Sequence, residues 1–198
     1  MHSTPTVCLT MPCHDPEGRL YRQFEAHLPT LLDVFDAVTA HAKDITHAGM
    51  VDLLIDAGVE VRREPDRRDA NGIPLIGAVR RSCLQLALET GASWVLYCDS
   101  DRALHWAEHY PDELAEVATQ IRAYDFTVIG RTERAFTSHP RIQRDTEAII
   151  NHVYGLLSGT TWDITAATRG LSRPAAEAIL AQHTDDTFGV DATWPLFI

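Results

Sequence analysis

Trp94-Val95-Leu96-Tyr97-Cys98-Asp99-Ser100-Asp101-Arg102 is the stretch that decides the fold. Five apolar or aromatic residues run into two carboxylates spaced one residue apart, and Gly91 bounds the run on its other side. A run of that composition predicts a strand buried on both faces. Such strands belong to parallel sheets covered by helices, where ligands bind beyond the carboxyl ends of the strands. Asp99 and Asp101 therefore fall where a ligand belongs. Residues two apart share one face of a strand until the chain turns, and two carboxylates so placed repel unless a cation sits between them. Their hard oxygens suit Mg²⁺, Mn²⁺ or Ca²⁺. The plain alternative is a strand end and a turn, with Asp99 or Ser100 capping the next helix.

Outward from this stretch, strands and helices alternate. Thr6–Met11 reads as a first strand closed by Pro12, with a loop from Cys13 to Gly18. Leu20–Leu32 has helical spacing interrupted by Pro29, and Val34–Ala40 is β-rich. Thr46–Ala57 predicts a helix stopped by Gly58, and Val59–Val61 a short third strand. Glu64–Asn71 is a charged loop, and Pro74–Thr90 a broad-faced helix with proline in its first turn. After the acidic pair come a helix at Pro111–Arg122, a strand at Phe126–Ile129 and a polar stretch at Arg131–Arg144. A long helix from Asp145 to Leu157, a sixth strand at Ile164–Ala167 and a helix at Pro174–Gln182 complete the pattern. The alternation predicts one α/β domain over residues 1–198, with a mostly parallel sheet flanked by helices.

The net charge of −11 argues against nucleic-acid binding, because no basic stripe is present to neutralise phosphates. No apolar run approaches the length of about 18 residues that crosses a membrane, and the N-terminus lacks a signal-peptide pattern. Cys8, Cys13, Cys83 and Cys98 form no C-x-x-C pair and read as reduced core residues of a cytoplasmic protein. His105 and His109 have metal-ligand spacing on a helix but no third partner.

Gly77-Ala78-Val79-Arg80-Arg81 opens a helix that leads through Gly91 and Trp94–Cys98 into Asp99-Ser100-Asp101. Pro12 ends the first strand, Gly170-Leu171-Ser172-Arg173 precedes a helix, and Gly189-Val190-Asp191 supplies a later acid. In this order the parts resemble the GT-A-fold, nucleotide-sugar-dependent glycosyltransferase superfamily, a Rossmann-like fold. The resemblance implies transfer of a sugar from a nucleotide-diphospho-sugar to an acceptor that the sequence does not name. It implies Mn²⁺ or Mg²⁺ held by Asp101 and partly by Asp99, which stabilises the diphosphate as it leaves. Asp99 has the ribose as a second possible contact. Pro12, His14 and Asp15 would meet the nucleotide, although Asp15 also suits a turn cap. Arg80 and Arg81 would neutralise the donor, or else be solvated helix residues.

Asp191 is the candidate catalytic or acceptor-orienting acid, against a helix-cap reading before Ala192. Arg169, His139 and Asp163 are the acceptor-side candidates, with Arg169 suited to bidentate binding of a phosphate or carboxylate. Seven residues follow Asp191, so the expectation is a minimal enzyme or an acceptor site completed by another subunit of a homo-oligomer. Two other readings compete. One is a non-catalytic nucleotide-sugar-binding or assembly subunit of the same fold. The other is a haloacid-dehalogenase-like phosphatase, whose acidic pair would lie near the N-terminus.

Overall fold

The structure, a computed structural model, describes residues 6–198. Strand β1 (Val7–Cys13) leads into α1 (Tyr21–Val34), β2 (Ala37–Lys43), α2 (Ala48–Asp56) and β3 (Glu60–Glu64). Helix α3 (Ile76–Glu89) precedes β4 (Trp94–Tyr97), which passes almost directly into α4 (Ser100–His109) and then α5 (Pro111–Gln120). The rest comprises β5 (Phe126–Ile129), α6 (Glu133–Thr137), α7 (Arg141–Ser158), β6 (Thr168–Ser172), α8 (Arg173–Gln182) and α9 (Val190–Phe197).

All six strands join one sheet in the order β3-β2-β1-β4-β6-β5. β1 pairs in parallel with β2 and with β4, β2 pairs in parallel with β3, and β6 runs antiparallel to both its neighbours. The sheet is therefore mostly parallel, and β4 lies inside it between β1 and β6. Alternate side chains feed two cores. Val7, Leu9, Met11 and Cys13 of β1 point with Leu96 into a core closed by α1, α2, α4 and α5. Cys8, Val95, Tyr97 and Leu171 point into a second core closed by α3, α8 and α9. Burial on both faces is what the unbroken apolar run in β4 encodes.

Several boundaries differ from the sequence expectation, each for a local reason. β2 begins at Ala37, not Val34: α1 runs straight through the exposed Pro29 to Val34, and the Asp36 carboxylate then turns the chain by accepting from the Val7 N–H at 2.8 Å. β3 extends to Glu64, into the expected charged loop. Ile164–Ala166 is not a strand but a 3-10 turn, because Ala167 takes a left-handed conformation at φ 59°, and the sixth strand starts only at Thr168. The long helix starts at Arg141, not Asp145, and the polar stretch before it contains α6.

Strand order reverses between β1 and β4, because β2 and β3 lie to one side of β1 and β4 to the other. That is the point at which open α/β sheets bind ligands. The two strand ends are also tied together: Cys98 N–H bonds to the Thr10 carbonyl at 3.1 Å, and the Ser100 hydroxyl donates to the Pro12 carbonyl. On the far side of the mouth, β6 packs tightly against the turn that follows α5. A Cβ added at Gly170 would stand 2.5 Å from Ile121 Cγ2 and 2.8 Å from its Cβ. Gly170→Ala is expected to destabilise the fold by about 1–3 kcal/mol in urea unfolding, as overpacking does, and unchanged stability would contradict this packing.

Candidate functional site

The acidic pair sits at the switch point, with a geometry the strand reading did not anticipate. The chain leaves the sheet at Asp99 (φ −63°, ψ 141°), which is the N-cap residue of α4, and Asp101 lies in that helix's first turn. The two carboxylates therefore share the mouth of the crevice, not one face of a strand. An N-cap aspartate ordinarily spends its carboxylate on the helix's free N–H groups. Asp99 makes no such bond. It accepts from the Tyr97 hydroxyl at 3.3 Å, has Arg102 Nε 3.8 Å away, and its side chain is 31% exposed. Asp101 is exposed, with one oxygen taking the Arg102 N–H at 2.9 Å.

Burial raises the Asp99 carboxyl above its ordinary value, Arg102 and Arg80 oppose the rise, and the charges of Asp101 and Asp191 add to it. A cation in the mouth relieves that repulsion. Among the described residues no group of three or more His, Cys, Asp or Glu side chains stands together. The pair thus fits a hard divalent ion that takes the rest of its ligands from phosphates and water.

Arg80 and Asp191 form the floor beside Asp99. Arg80, buried on α3, donates Nη1 to Asp191 Oδ1, with Nη2 3.4 Å from Oδ2, and its guanidinium lies 5.5 Å over the Tyr97 ring. It is not a solvated helix residue. Arg81 is tied to the Asp185 carbonyl at 2.7 Å and to the Asp186 carboxylate. Asp191 is not the helix cap, a position held by Gly189, but lies in the first turn of α9, where an acid favours the helix dipole. Part of its side chain faces a hollow of about 440 Å³ lined also by Thr165, Phe188 and Ile150. Gly189 is helical at φ −57°, so it serves there by close approach to the Asp185 carboxylate and not by a left-handed turn.

Arg169 does not reach an acceptor. Its side chain is 2% exposed and donates to the carbonyls of Thr168, Ile164 and Asp191 (2.8, 2.5 and 3.2 Å), and burial pulls its pKa down to about 10. Asp163 is likewise engaged, accepting from Arg131 Nε and Nη2 at 2.8 Å each, from the Arg131 N–H at 3.0 Å and from Asn151 at 2.8 Å. It lines a separate hollow of about 650 Å³ between α6, α7 and the 159–163 loop. His139 lies half-buried just past the end of α6.

On the nucleotide side, Pro12 is part of β1 and holds Ser100, and His14 is exposed in the loop that follows. Asp15 is buried and caps a turn: its carboxylate accepts from Leu20 N–H at 2.7 Å and its carbonyl from His47 N–H at 3.0 Å. Burial pushes the Cys13 thiol up to about 12, as befits a core cysteine. His105 and His109 meet edge to face at 4.5 Å, and no metal-holding group of three is found there among the described residues.

Sequence reasoning missed Tyr97, Ser100 and Arg102. Arg102 follows from the helical spacing of Ala103, Leu104 and Ala107, which starts α4 at Ser100 as the alternative of a helix cap at Asp99 allows. Arg102 on that helix donates to the Ala166 carbonyl beside the strained Ala167, tying α4 to the start of β6.

No family model matches this chain, and neither does any curated protein. Solved structures do. Glucosyl-3-phosphoglycerate synthase from Mycobacterium tuberculosis with uridine diphosphate superposes with TM-score 0.62 at 14% identity, covering 98% of this chain and 65% of that one. The same enzyme with Mn²⁺, UDP-glucose and phosphoglyceric acid gives TM-score 0.58 at 14% identity, over 98% and 64% of the two chains. Without those ligands it gives 0.58 at 12% identity, over 98% and 66%. The chain thus spans about two thirds of that protein's length. The likeness establishes the GT-A-like fold that the sequence resemblance implies, and no described helix is long and apolar enough to cross a membrane.

The two half-buried acids respond oppositely to pH. Asp99 has a folded pKa raised above the ordinary 3.8, so its ionised form costs stability at neutral pH, and the cost fades as pH falls through the folded value towards 3.8. Asp99→Asn is therefore expected to raise the melting temperature at pH 7–8, with the gain shrinking near pH 4; a loss of stability at neutral pH would contradict this. For Asp163, burial alone would raise the carboxyl, but the bonds from Arg131 and Asn151 outweigh it and hold it well below 3.8. Its contribution is present above 3.8 and lost as pH falls further. Asp163→Asn should cost roughly 2–3 kcal/mol at pH 7 in denaturant unfolding, with the gap to wild type narrowing in acid.

Proposed function

We propose that the chain transfers a glycosyl group from a nucleotide-diphospho-sugar, with the divalent metal shared between Asp101, Asp99 and the donor's phosphates. The observation that carries this reading is Asp99 itself: an N-cap aspartate that makes no cap bond and stays open beside Asp101 at the switch point of the sheet. When bound, the metal neutralises charge that builds on the diphosphate as the glycosidic bond breaks. Asp101 is the direct ligand. Asp99 shares the ion or accepts from the ribose, with Tyr97 and Arg102 fixing its carboxylate. His14, exposed at the end of β1, borders the nucleotide. Arg80 offsets the acidic floor and orients Asp191, whose exposed edge orients an acceptor hydroxyl in the hollow it lines.

An uncommitted general base does not describe Asp191, since Arg80 occupies one of its oxygens. The solved neighbours hold Mn²⁺ with UDP or UDP-glucose, which makes uridine-linked sugars with Mn²⁺ the first donors to examine. A haloacid-dehalogenase-like phosphatase fits poorly, because the acidic pair follows the fourth strand along the chain.

Thermal melting with UDP-sugars, with and without Mn²⁺, tests the proposal. A donor at about 100 times its Kd should stabilise the protein by about 2.7 kcal/mol, only with metal present. Asp101→Ala should fold normally and lose that gain; a gain that persists without metal, or in Asp101→Ala, contradicts the assignment. Donor binding without turnover to water or any acceptor would leave the non-catalytic subunit reading in its place.

A further inference from the structure

Helix α7 is mounted inside out. Its polar side faces the protein: Glu147 Oε2 lies 2.7 Å from Arg131, and Asn151 bonds both Asp163 (2.8 Å) and the Thr165 N–H (3.2 Å). Tyr154 is the only α7 residue buried. Its apolar side faces solvent, with Ile142 79% and Leu156 74% exposed and Ile149, Ile150, Val153 and Leu157 exposed between and beside them. At 3.6 residues per turn these six fall within an arc of roughly 120°. Ile142, Thr146, Ile149, Val153 and Leu156 follow the alternating four- and three-residue steps of a coiled-coil seam. Thr146 spends its hydroxyl on the Ile142 carbonyl at 2.8 Å, which leaves its methyl group to the seam.

We propose that two copies of this chain pair through this face, α7 against α7, about a two-fold axis. Two arguments select a second copy as the occupant. The six apolar side chains, 42–79% exposed along one helix face, form the contiguous apolar patch that marks a protein–protein contact. The charge distribution points the same way. Arg141 and Arg144 balance Asp145 and Glu147, so α7 is neutral in a chain of net charge −11 and is where two copies approach with least repulsion. A lipid-seated helix instead carries a strongly basic polar face, and α7 has no lysine and turns its polar face inward. Ile150, at the edge of the seam, also lines the hollow that Asp191 faces, so the partner copy would border the candidate site. The inference rests on α7 alone and does not depend on the glycosyl-transfer reading.

Sedimentation equilibrium of the full chain should give twice 22.0 kDa at micromolar concentration. Ile149→Glu with Leu156→Glu should give 22.0 kDa with an unchanged melting temperature, since both positions are exposed in the single copy. Like charges placed across a two-fold contact should weaken the dimer by at least about 100-fold. Ile149→Ser, which adds no charge, should shift the monomer–dimer midpoint to higher concentration. Ile55→Glu, on the exposed side of α2, should leave the dimer intact. A wild-type chain monomeric up to about 100 μM overturns the proposal, as does a dimer that survives the double substitution. So does a monomer that floats with phosphatidylcholine–phosphatidylglycerol vesicles and loses this with the same substitutions, which would give the face to lipid.

Discussion

The balance of charge around Asp99 is the constraint on which the rest of the site depends. Asp99, Asp101 and Asp191 all bring negative charge to bear at the end of β4, where Arg102 and Arg80 offset it, with Arg169 beside Asp191. Arg102 comes from the same helix as Asp101, Arg80 from α3, and Arg169 from β6. Each arginine also ties down a neighbouring element: Arg102 the Ala166 carbonyl, Arg80 the start of α9 through Asp191, Arg169 the carbonyls of Ile164 and Asp191. Buried ion pairs of this kind add little net stability, because desolvation offsets the attraction. Their effect is positional. They keep an acidic mouth open at the switch point, where a well-packed apolar cluster would have closed it.

How far the sequence reveals this arrangement depends on the range of the interaction involved. The order of strands and helices, the burial of β4 and the placement of an acidic pair at its carboxyl end were legible, because each follows from periodicity or local composition. The misreadings share a different origin. Ile164–Ala166 has strand-like residues but meets a left-handed Ala167, a backbone state its composition does not announce. Asp15 and Arg169 carry functional-looking side chains that are turned inward, Asp15 by the nearby Leu20 N–H and Arg169 by carbonyls that include that of Asp191, 22 residues away. The pairing of Arg80 with Asp191 spans 111 residues and has no signature in either local stretch. The helical start inside Asp-Ser-Asp was legible as the alternative in which Asp99 or Ser100 caps the next helix, and Ala103, Leu104 and Ala107 carry its spacing.

The segment between β5 and β6 behaves differently from the sandwich. It contributes one buried side chain from α7, yet it carries Arg131, Asn151 and Asp163, whose bonds fix the turn leading to Ala167 and β6. Polar bonds therefore attach this segment to the body, while its apolar surface remains outside. The same segment lines both hollows, the separate one through Gly155 and Leu156 and the one that Asp191 faces through Glu147 and Ile150. The wall of the hollow that Asp191 faces and the outward apolar face thus belong to a single element, α7.

The central claim is that protein and nucleotide share one metal, the protein supplying only two carboxylates. Electron paramagnetic resonance titration of free Mn²⁺ tests it most directly, in the absence and presence of UDP. Linkage requires that each ligand tighten the other by the same factor. The account predicts weak Mn²⁺ binding to the protein alone and at least about tenfold tighter binding with UDP present. Mn²⁺ affinity that is the same with and without UDP would contradict it.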